Sequence, residues 1–167
     1  MPKKTIPVFT IDFIPDSGIH ISQYSGTDKT SFISKEVHRD EHYTFIFQQR
    51  GNSQLMLDFD IVNVTGRSVL CILPGQVHQA LSADKVSAWF IAIKPEMIKD
   101  STRHFFTDVA SSANLISLDA EEESILTGLM ELLARIADQY RDPNYPEDVI
   151  RSLADGCISM IVYKFTI

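Results

Sequence analysis

The chain has 167 residues, of which 44% are hydrophobic and 22% are charged, so it is long enough to enclose a core and has an ordinary globular composition. It contains no apolar run of about 20 residues, which excludes a membrane-spanning helix, and its N-terminus lacks the apolar segment of a signal peptide. The net charge of −7, with scattered basic residues, argues against direct binding of this chain to nucleic acid. We therefore expect a cytoplasmic protein whose two cysteines, Cys71 and Cys157, are buried free thiols.

The first part of the chain, residues 1–94, has the pattern of a β-rich domain. Short runs rich in Val, Ile, Phe and Tyr alternate with turn sequences at 15–18, 50–52, 65–66 and 74–75. The predicted strands lie near 6–14, 19–25, 43–49, 53–58, 61–64, 68–73, 76–82 and 86–93. Many short strands at this spacing predict an antiparallel sandwich or barrel.

The second part, residues 95–167, has the pattern of a helical region that packs on the barrel. Short helices are predicted near 95–98 and 101–110. Asp119 and Glu122 then have the spacing of a capping box, which starts a longer helix. A second long helix begins near Pro146 and is apolar on more than half of its circumference, so it needs burial on two faces.

The first long helix carries an apolar stripe at steps of three and four residues. Because a second apolar helix face is costly to leave in water, we expect this region to form the contact of a homodimer. The residues expected at the contact are Leu129, Leu132, Leu133, Ile136 and Tyr140. The alternative is that all of them pack on the barrel of their own chain.

Three of the five histidines lie in two motifs. The first runs from His38 to Gly51, and the second is a Pro-Gly turn followed by His78. This arrangement resembles the two motifs of the cupin superfamily, which are a His-x-His pair with a Glu and a Gly at set spacing, and a Pro-Gly turn followed by a His. Asp40 stands in place of the second His, and Thr44 stands in place of the Glu. The resemblance implies a mainly β fold with C-terminal helices, built as a cupin-like double-stranded β-helix, or jelly-roll barrel, followed by two longer helices.

Two of the four metal-ligand positions of a cupin are thus changed, and a neutral threonine is a poor metal ligand. We therefore expect no metal, no cofactor and no catalytic residues. The alternative is a metal-dependent cupin enzyme, a non-haem iron oxygenase or an isomerase, in which His38, Asp40 and His78 form a two-histidine, one-carboxylate triad. The region after His78 lacks the arginine that many oxo-acid-dependent iron oxygenases carry, and this favours the non-enzyme interpretation.

The order of motifs resembles the N-terminal arm-and-barrel domain of AraC-type transcription regulators. The run from His38 to Gly51 has aromatic residues at its centre, and it is followed by a hairpin, Gly66, an apolar strand and the Pro-Gly-x-x-His sequence. The resemblance implies a domain that binds a small-molecule effector such as a sugar or an organic acid. It also implies a homodimer formed through the two helices, and contact with DNA only through a helix-turn-helix domain that this chain does not contain.

The residues expected to contact the effector follow from strand parity. Residues 38, 40, 42 and 44 share one face of a strand, so they point into the barrel together, and His78 joins them from a facing strand. Trp89 is expected to stack on the ligand, and the alternative is that it packs in the core. The predicted ligand-binding residues are His38, Asp40, His42, Thr44, His78 and Trp89. The aromatic residues Tyr43, Phe45 and Phe47 have the opposite parity and should pack against the helices. The resemblance to AraC-type regulators implies that residues 1–11 fold over the barrel mouth when ligand is present.

Overall fold

The computed structural model describes residues 5–9, 18–26, 36–109, 115–139 and 147–166. The strands are β1 (Val8–Phe9), β2 (Ile19–Gly26), β3 (His38–Asp40), β4 (Tyr43–Leu57), β5 (Asp60–Thr65), β6 (Ser68–Ile72), β7 (Val77–Ile93) and β8 (Leu115–Ser117). After a 3-10 turn (Pro95–Met97), the helices are α1 (Asp100–Val109), α2 (Ala120–Gln139) and α3 (Glu147–Thr166). The predicted fold class is confirmed: a cupin-like jelly roll is followed by two longer helices. Among the described residues, no helix is long and apolar enough to cross a membrane.

Two long strands, β4 and β7, organise the barrel because each belongs to both of its halves. In one half, the start of β4 pairs with β6 and with the end of β7, which also pairs with β2. In the other half, the end of β4 pairs with β5 and with the start of β7, which also pairs with β3. Strands β1 and β8 lie at the two ends of the strand order. The two halves therefore enclose one interior and share two bent strands.

The bend of β4 is a β-bulge at Gly51, where the sequence suggests a turn. The pairing register with β7 shifts between Gln48 and Arg50 and again between Arg50 and Asn52. Gly51 has a φ of 88°, and a Cβ atom there would lie 2.4 Å from the carbonyl oxygen of Lys85. The prediction of separate strands at 43–49 and 53–58 is thus wrong, because the glycine lets one strand bend and continue instead of ending it.

The same correction applies to β7, which was predicted as two strands, 76–82 and 86–93. It continues through Lys85, whose φ of 51° places it in the left-handed region. Strands β3 and β8 were not predicted as strands. Of the strand predicted near 6–14, the structure has Val8–Phe9 as β1, and residues 10–14 lie outside the described residues.

A buried polar side chain, Gln48, fixes the bulge from inside. Its Nε2 donates to the carbonyl oxygens of Gly51 at 3.0 Å and Val64 at 3.1 Å. Its Oε1 accepts from the hydroxyl of Ser53 at 2.7 Å. Gln48 is fully buried, so these bonds satisfy groups that water does not reach.

Side chains on the two faces of β4 belong to two separate hydrophobic clusters, as the alternation of residues along a strand predicts. Tyr43, Phe45 and Phe47 belong to a cluster that also contains residues of α1, α2 and α3. Ile46 and Leu55 belong to a second cluster inside the barrel. The sheet therefore has apolar side chains on both faces, and the helices cover the outer one.

The start of α2 confirms the predicted capping box. The carboxylate of Asp119 accepts from the backbone N–H groups of Glu121 and Glu122, each at 2.9 Å. The Glu122 carboxylate accepts in return from the backbone N–H of Asp119 at 2.8 Å. Both cysteines are buried free thiols, also as predicted, and burial raises the pKa of Cys157 to about 11.

Replacing Gln48 with Ala should destabilise the fold by at least about 2 kcal/mol, because each buried group left without its partner costs about 1–3 kcal/mol. Urea denaturation measures the change. The control is Gln54→Ala, which removes a hydrogen bond to Asn63 near the surface and should change stability by less than about 0.5 kcal/mol. Equal losses for the two variants would show that the buried network does not hold the bulge.

Candidate functional site

The predicted histidine motifs meet at one end of the barrel. His38 and Asp40 lie on β3, His42 lies in the link between β3 and β4, and His78 lies on β7. His38 and His78 are register partners of the antiparallel β3–β7 pair, with ring centroids 4.1 Å apart. They are therefore neighbours in one sheet, and the expectation that His78 approaches from a facing strand is wrong.

Three imidazole rings surround the carboxylate of Asp40. The Nε2 atom of His38 is 3.6 Å from Oδ1, and the Nε2 atoms of His42 and His78 are 3.4 Å and 3.3 Å from Oδ2. All four residues are buried, with exposed fractions between 2% for His78 and 8% for Asp40. We call these four residues the Asp40 cluster.

The backbone sets the orientation of two of the rings. The Nδ1 atom of His38 is 2.8 Å from the carbonyl oxygen of Glu36, and the Nδ1 atom of His78 is 3.2 Å from that of Gln76. A carbonyl oxygen only accepts hydrogen bonds, so each Nδ1 carries a proton. The Nε2 atoms of both rings then face the Asp40 carboxylate.

Burial and mutual charge control the titration of the cluster. Burial lowers the pKa of His38 and of His42, outweighing the attraction of Asp40 for their charged forms. Burial raises the pKa of Asp40, but hydrogen bonding to His78 and the charges of the three histidines outweigh it, so the net pKa is lowered. The carboxylate is therefore ionised at neutral pH, and burial disfavours the charged form of two of its three neighbours.

Hydrogen bonds hold the turn before His78 against β3. The backbone N–H of Gly75 donates to the carbonyl oxygen of Asp40 at 2.8 Å, and the guanidinium of Arg39 donates to the carbonyl oxygen of Gly75 at 2.6 Å. On the other side, the carboxylate of Asp58 accepts from the Gln76 side chain at 2.8 Å and from the Val77 backbone at 2.9 Å. These bonds hold the start of β7 beside β3.

The N-terminal strand β1 lies directly beside this site. It runs parallel to β3, with Phe9 opposite Asp40, and the ring of Phe9 is 4.6 Å from the ring of His38. Phe9 is 38% exposed, so it covers His38 on one side and meets solvent on the other. Sequence analysis places the arm over the barrel mouth but does not single out Phe9.

Trp89 is the predicted site residue that the structure places elsewhere. It belongs to the outer cluster between sheet and helices, with Phe47 as its register partner on β4. Its expected role in stacking on a ligand inside the barrel is therefore wrong. Both faces of this part of β7 are buried, so the sequence alone does not show which face looks inward.

Thr44 faces the barrel interior, in register with Ile72 and Ala92, but it is not one of the groups around Asp40. His20 was not predicted as a site residue. It is opposite Ala92 on β2, so it shares the interior face with Thr44, and burial lowers its pKa. The pairing of β2 with β7 decides this position, and the sequence does not reveal that pairing.

The predicted dimer residues divide between two faces of α2. Leu133 is fully buried in the core of its own chain, so placing it at a dimer contact is wrong. Leu129 and Ile136 are partly buried against that core, and Leu132 is 43% exposed. Tyr140 lies outside the described residues.

Comparison with known proteins shows which solved structures share the fold of this chain. The chain matches no protein-family model and no curated protein sequence. Among solved structures, it aligns with the AraC-like transcriptional activator CuxR at a TM-score of 0.54 and 11% identity, over 90% of this chain and 53% of that one. The chain has the fold of about half of an AraC-like activator.

Two further solved structures align with this chain less closely, and one of them over a shorter region. Apo ToxT K231A from Vibrio cholerae strain SCE256 has a TM-score of 0.49 and 15% identity, over 89% of this chain and 57% of that one. A cupin protein from Bacteroides fragilis has a TM-score of 0.34 and 16% identity, over 46% of this chain and 64% of that one.

Proposed function

We propose that this chain is the effector-sensing and dimerisation domain of an AraC-type transcription regulator. In this proposal it acts in the cytoplasm without catalysing a reaction, and it controls a separate DNA-binding domain. The observation that carries the proposal is a buried cluster of four polar side chains inside a barrel whose fold is that of part of an AraC-like activator. The chain spans 53% of CuxR, so contact with DNA is assigned to a part of the protein beyond this fold.

The chemistry of the Asp40 cluster suits a polar effector. Asp40 accepts hydrogen bonds, and the imidazole rings of His38, His42 and His78 donate or accept according to their protonation. A sugar or an organic acid offers groups for both kinds of contact, and Thr44 adds a hydroxyl on the interior face. A small number of convergent polar groups in an otherwise apolar enclosure is typical of ligand sites.

A thermal-shift screen of sugars and organic acids tests the sensing proposal. A ligand present at about 100 times its Kd should stabilise the protein by about 2.7 kcal/mol. The shift should disappear in Asp40→Asn and persist in His104→Ala, which alters an exposed histidine on α1. A ligand whose shift survives Asp40→Asn would place the effector site elsewhere.

The dimer proposal rests on the outer face of α2. Leu126, Met130 and Leu133 form the stripe that faces the core. A second stripe, turned by about a quarter of the circumference, contains Ile125, Leu129, Leu132 and Ile136. Ile125 is 50% exposed and borders an apolar groove of about 250 Å³ between α2 and α3. We assign this second stripe, without Leu133, to the homodimer contact.

Replacing Leu132 with Glu should weaken the dimer by at least about 100-fold. In a two-fold dimer the change removes two buried leucines, each worth about 1.5–3 kcal/mol. Sedimentation across micromolar concentrations measures the dissociation constant. Ser124→Glu is the matched control, because it adds the same charge to an exposed position on another face of α2. A wild-type monomer, or equal effects of the two variants, would contradict the proposal.

The N-terminal arm is proposed to couple effector binding to the rest of the domain. Besides the ring contact with His38, the carbonyl oxygens of Pro7 and Phe9 accept from the backbone of Arg39 and Glu41, at 3.0 Å and 3.4 Å. Because the arm contacts the strand that carries the cluster, a ligand at Asp40 can favour or disfavour its docking.

Replacing Phe9 with Ala should weaken binding of any effector identified in the screen by about tenfold, through the loss of apolar contact over His38. Val8→Ala is the control, since Val8 is exposed and points to the other face of β1. Isothermal titration measures both. Deleting residues 1–11 with no change in effector affinity or dimer strength would rule out a role for the arm.

A metal-dependent cupin enzyme is the second candidate function. The observation that favours it is the convergence of ligand atoms from His38, Asp40 and His78 to within 4.8 Å of one another. The AraC-like fold over 90% of the chain favours the sensing function. Turnover of an oxo-acid or sugar substrate by the metal-loaded protein, abolished by His78→Ala, would support the enzyme instead.

A further inference from the structure

We propose that the effector carries a protonated amine, which binds to the carboxylate of Asp40, while the rest of the molecule contacts His20 and Thr44 on the opposite wall of the barrel. The inference deepens the proposed function by naming the chemical class of the effector. It rests on that function for the location of the site inside the barrel. It also adds His20, on β2, as a residue that determines specificity.

The carboxylate of Asp40 has polar neighbours but no close ion pair. The three imidazole Nε2 atoms around it lie 3.3–3.6 Å from its oxygens. A hydrogen bond between a charged nitrogen donor and a carboxylate is shorter, about 2.7–2.9 Å. An ionised carboxylate has about four acceptor positions, so Asp40 retains capacity for a stronger donor. Because a buried charge is stabilised by a close opposite charge, an ammonium group fits this position better than a neutral donor.

The lysine and arginine side chains of the described strands lie away from this carboxylate. Arg39 precedes Asp40 on β3, so it points to the other face of the sheet, where it donates to a carbonyl oxygen of the turn before β7. Arg50 and Lys85 are exposed residues at the bends of β4 and β7, and the described strands contain no other lysine or arginine. An amine of the effector would supply the missing positive charge, whereas an effector carboxylate next to Asp40 would meet a like charge.

An aromatic ring borders the carboxylate on the side of the N-terminal arm. Phe9 lies opposite Asp40 in the β1–β3 pair, and its ring is 4.6 Å from the ring of His38. The face of an aromatic ring attracts an ammonium group, as in the aromatic cages that bind methylated amines. Phe9 therefore adds attraction for a cation at Asp40.

The strand register places a second set of polar residues on the opposite wall of the barrel. Thr44 on β4 and His20 on β2 both pair with Ala92 on β7, so the three residues form a row across one half of the barrel. In the other half, the corresponding row consists of Leu57, His78 and His38. Both rows lie a similar number of residues from the bends of β4 and β7, so they face each other across the interior. Facing sheet layers are about 10 Å apart.

The upper row leaves room for a ligand over the cluster. Ala92 faces His78 with only a methyl group, and Thr44 and His20 flank it with a hydroxyl and an imidazole. Thr44 and His20 are half-buried although they face the interior, so solvent reaches this level of the barrel. Both side chains donate and accept hydrogen bonds, so they suit a hydroxyl or a carboxylate remote from the amine. An amino sugar or an amino acid has both kinds of group.

Matched pairs of compounds test the proposal on the full wild-type chain. Each amine is compared with the compound that has a hydroxyl in its place: glucosamine with glucose, galactosamine with galactose, and a panel of amino acids with the corresponding hydroxy acids. Thermal shift identifies binders, and calorimetry measures their Kd. At least one amine should bind, and its hydroxyl counterpart should bind about 10- to 100-fold more weakly, because it lacks the charge. Absence of binding by every amine, or equal affinities within the pairs, would overturn the inference.

Variants then test the two walls separately. Asp40→Asn should weaken binding of the amine about 10- to 100-fold and change binding of its hydroxyl counterpart much less, whereas a structural role of Asp40 would weaken both equally. Asp60→Asn is the matched control, since it removes the same charge from an exposed position at the same end of the barrel, and it should have no effect. Circular dichroism confirms that each variant is folded.

The opposite wall needs its own variants. His20→Ala and Thr44→Val should each weaken binding of the amine about tenfold. Ala92→Leu removes no polar group but fills the space over His78, so it should abolish binding, and Ala92→Val should weaken it less. Unchanged affinity in His20→Ala would overturn the role of His20 in specificity.

The outcomes separate this inference from the sensing proposal. A neutral sugar or an organic acid without an amine that binds through Asp40 would overturn the amine class while the sensing function stands. Binding of an amine with the expected preferences, but with no change in dimer strength by sedimentation, would support the ligand class and count against the sensing function.

Discussion

The buried carboxylate of Asp40 is the constraint around which this end of the barrel is arranged. A charge removed from water is costly unless polar partners surround it, and here they come from the residues on either side of Asp40 and from the distant strand β7. His38 lies on β3, His42 lies in the link to β4, and His78 lies on β7. The backbone carbonyl of Asp40 also accepts from Gly75, so one residue ties β3 to the turn before β7 through both its side chain and its main chain.

That arrangement depends on two strands that are long enough to serve both halves of the barrel. β7 carries His78 near its start and contributes Ile91 and Ile93 to the outer core near its end. β4 also runs through both halves of the barrel. It can do so because Gly51 adopts a positive φ and lets the backbone of Lys85 approach more closely than a side chain would allow. The site and the helix-packing surface therefore share the same two strands.

The features that the sequence predicts correctly are those decided by neighbouring residues. Alternation along Tyr43, Phe45 and Phe47 assigns their face, and Asp119 with Glu122 marks the start of α2, because both patterns operate within a few residues. The His38 and His78 motifs are also found from spacing, although their side-by-side pairing is not. Gly51 was interpreted as a turn because local sequence does not distinguish a bulge from a chain reversal.

The remaining errors arise where both faces of an element are buried. Trp89 lies in a stretch of β7 with apolar residues on either side, so alternation gives no direction. Leu133 lies in an α2 segment with two adjacent apolar stripes, and only packing shows that its stripe faces the core. His20 is missed for a different reason. Its place on the interior face depends on the pairing of β2 with β7, and these strands are far apart in the sequence.

The strand alternation that assigns these faces also provides a packed connection from the cluster to the helices. His42 faces Asp40, and the next residue, Tyr43, points to the opposite face of the sheet. The Tyr43 ring packs on Phe106 of α1 at 6.0 Å, and Phe106 packs on Phe165 of α3 at 6.3 Å. A ligand that shifts the backbone at His42 would therefore also move Tyr43 against Phe106 of α1. Coupling to the dimer follows only if the two positions of β4 differ in their contact with these helices, because a ligand shifts an equilibrium only by its differential affinity for the two states.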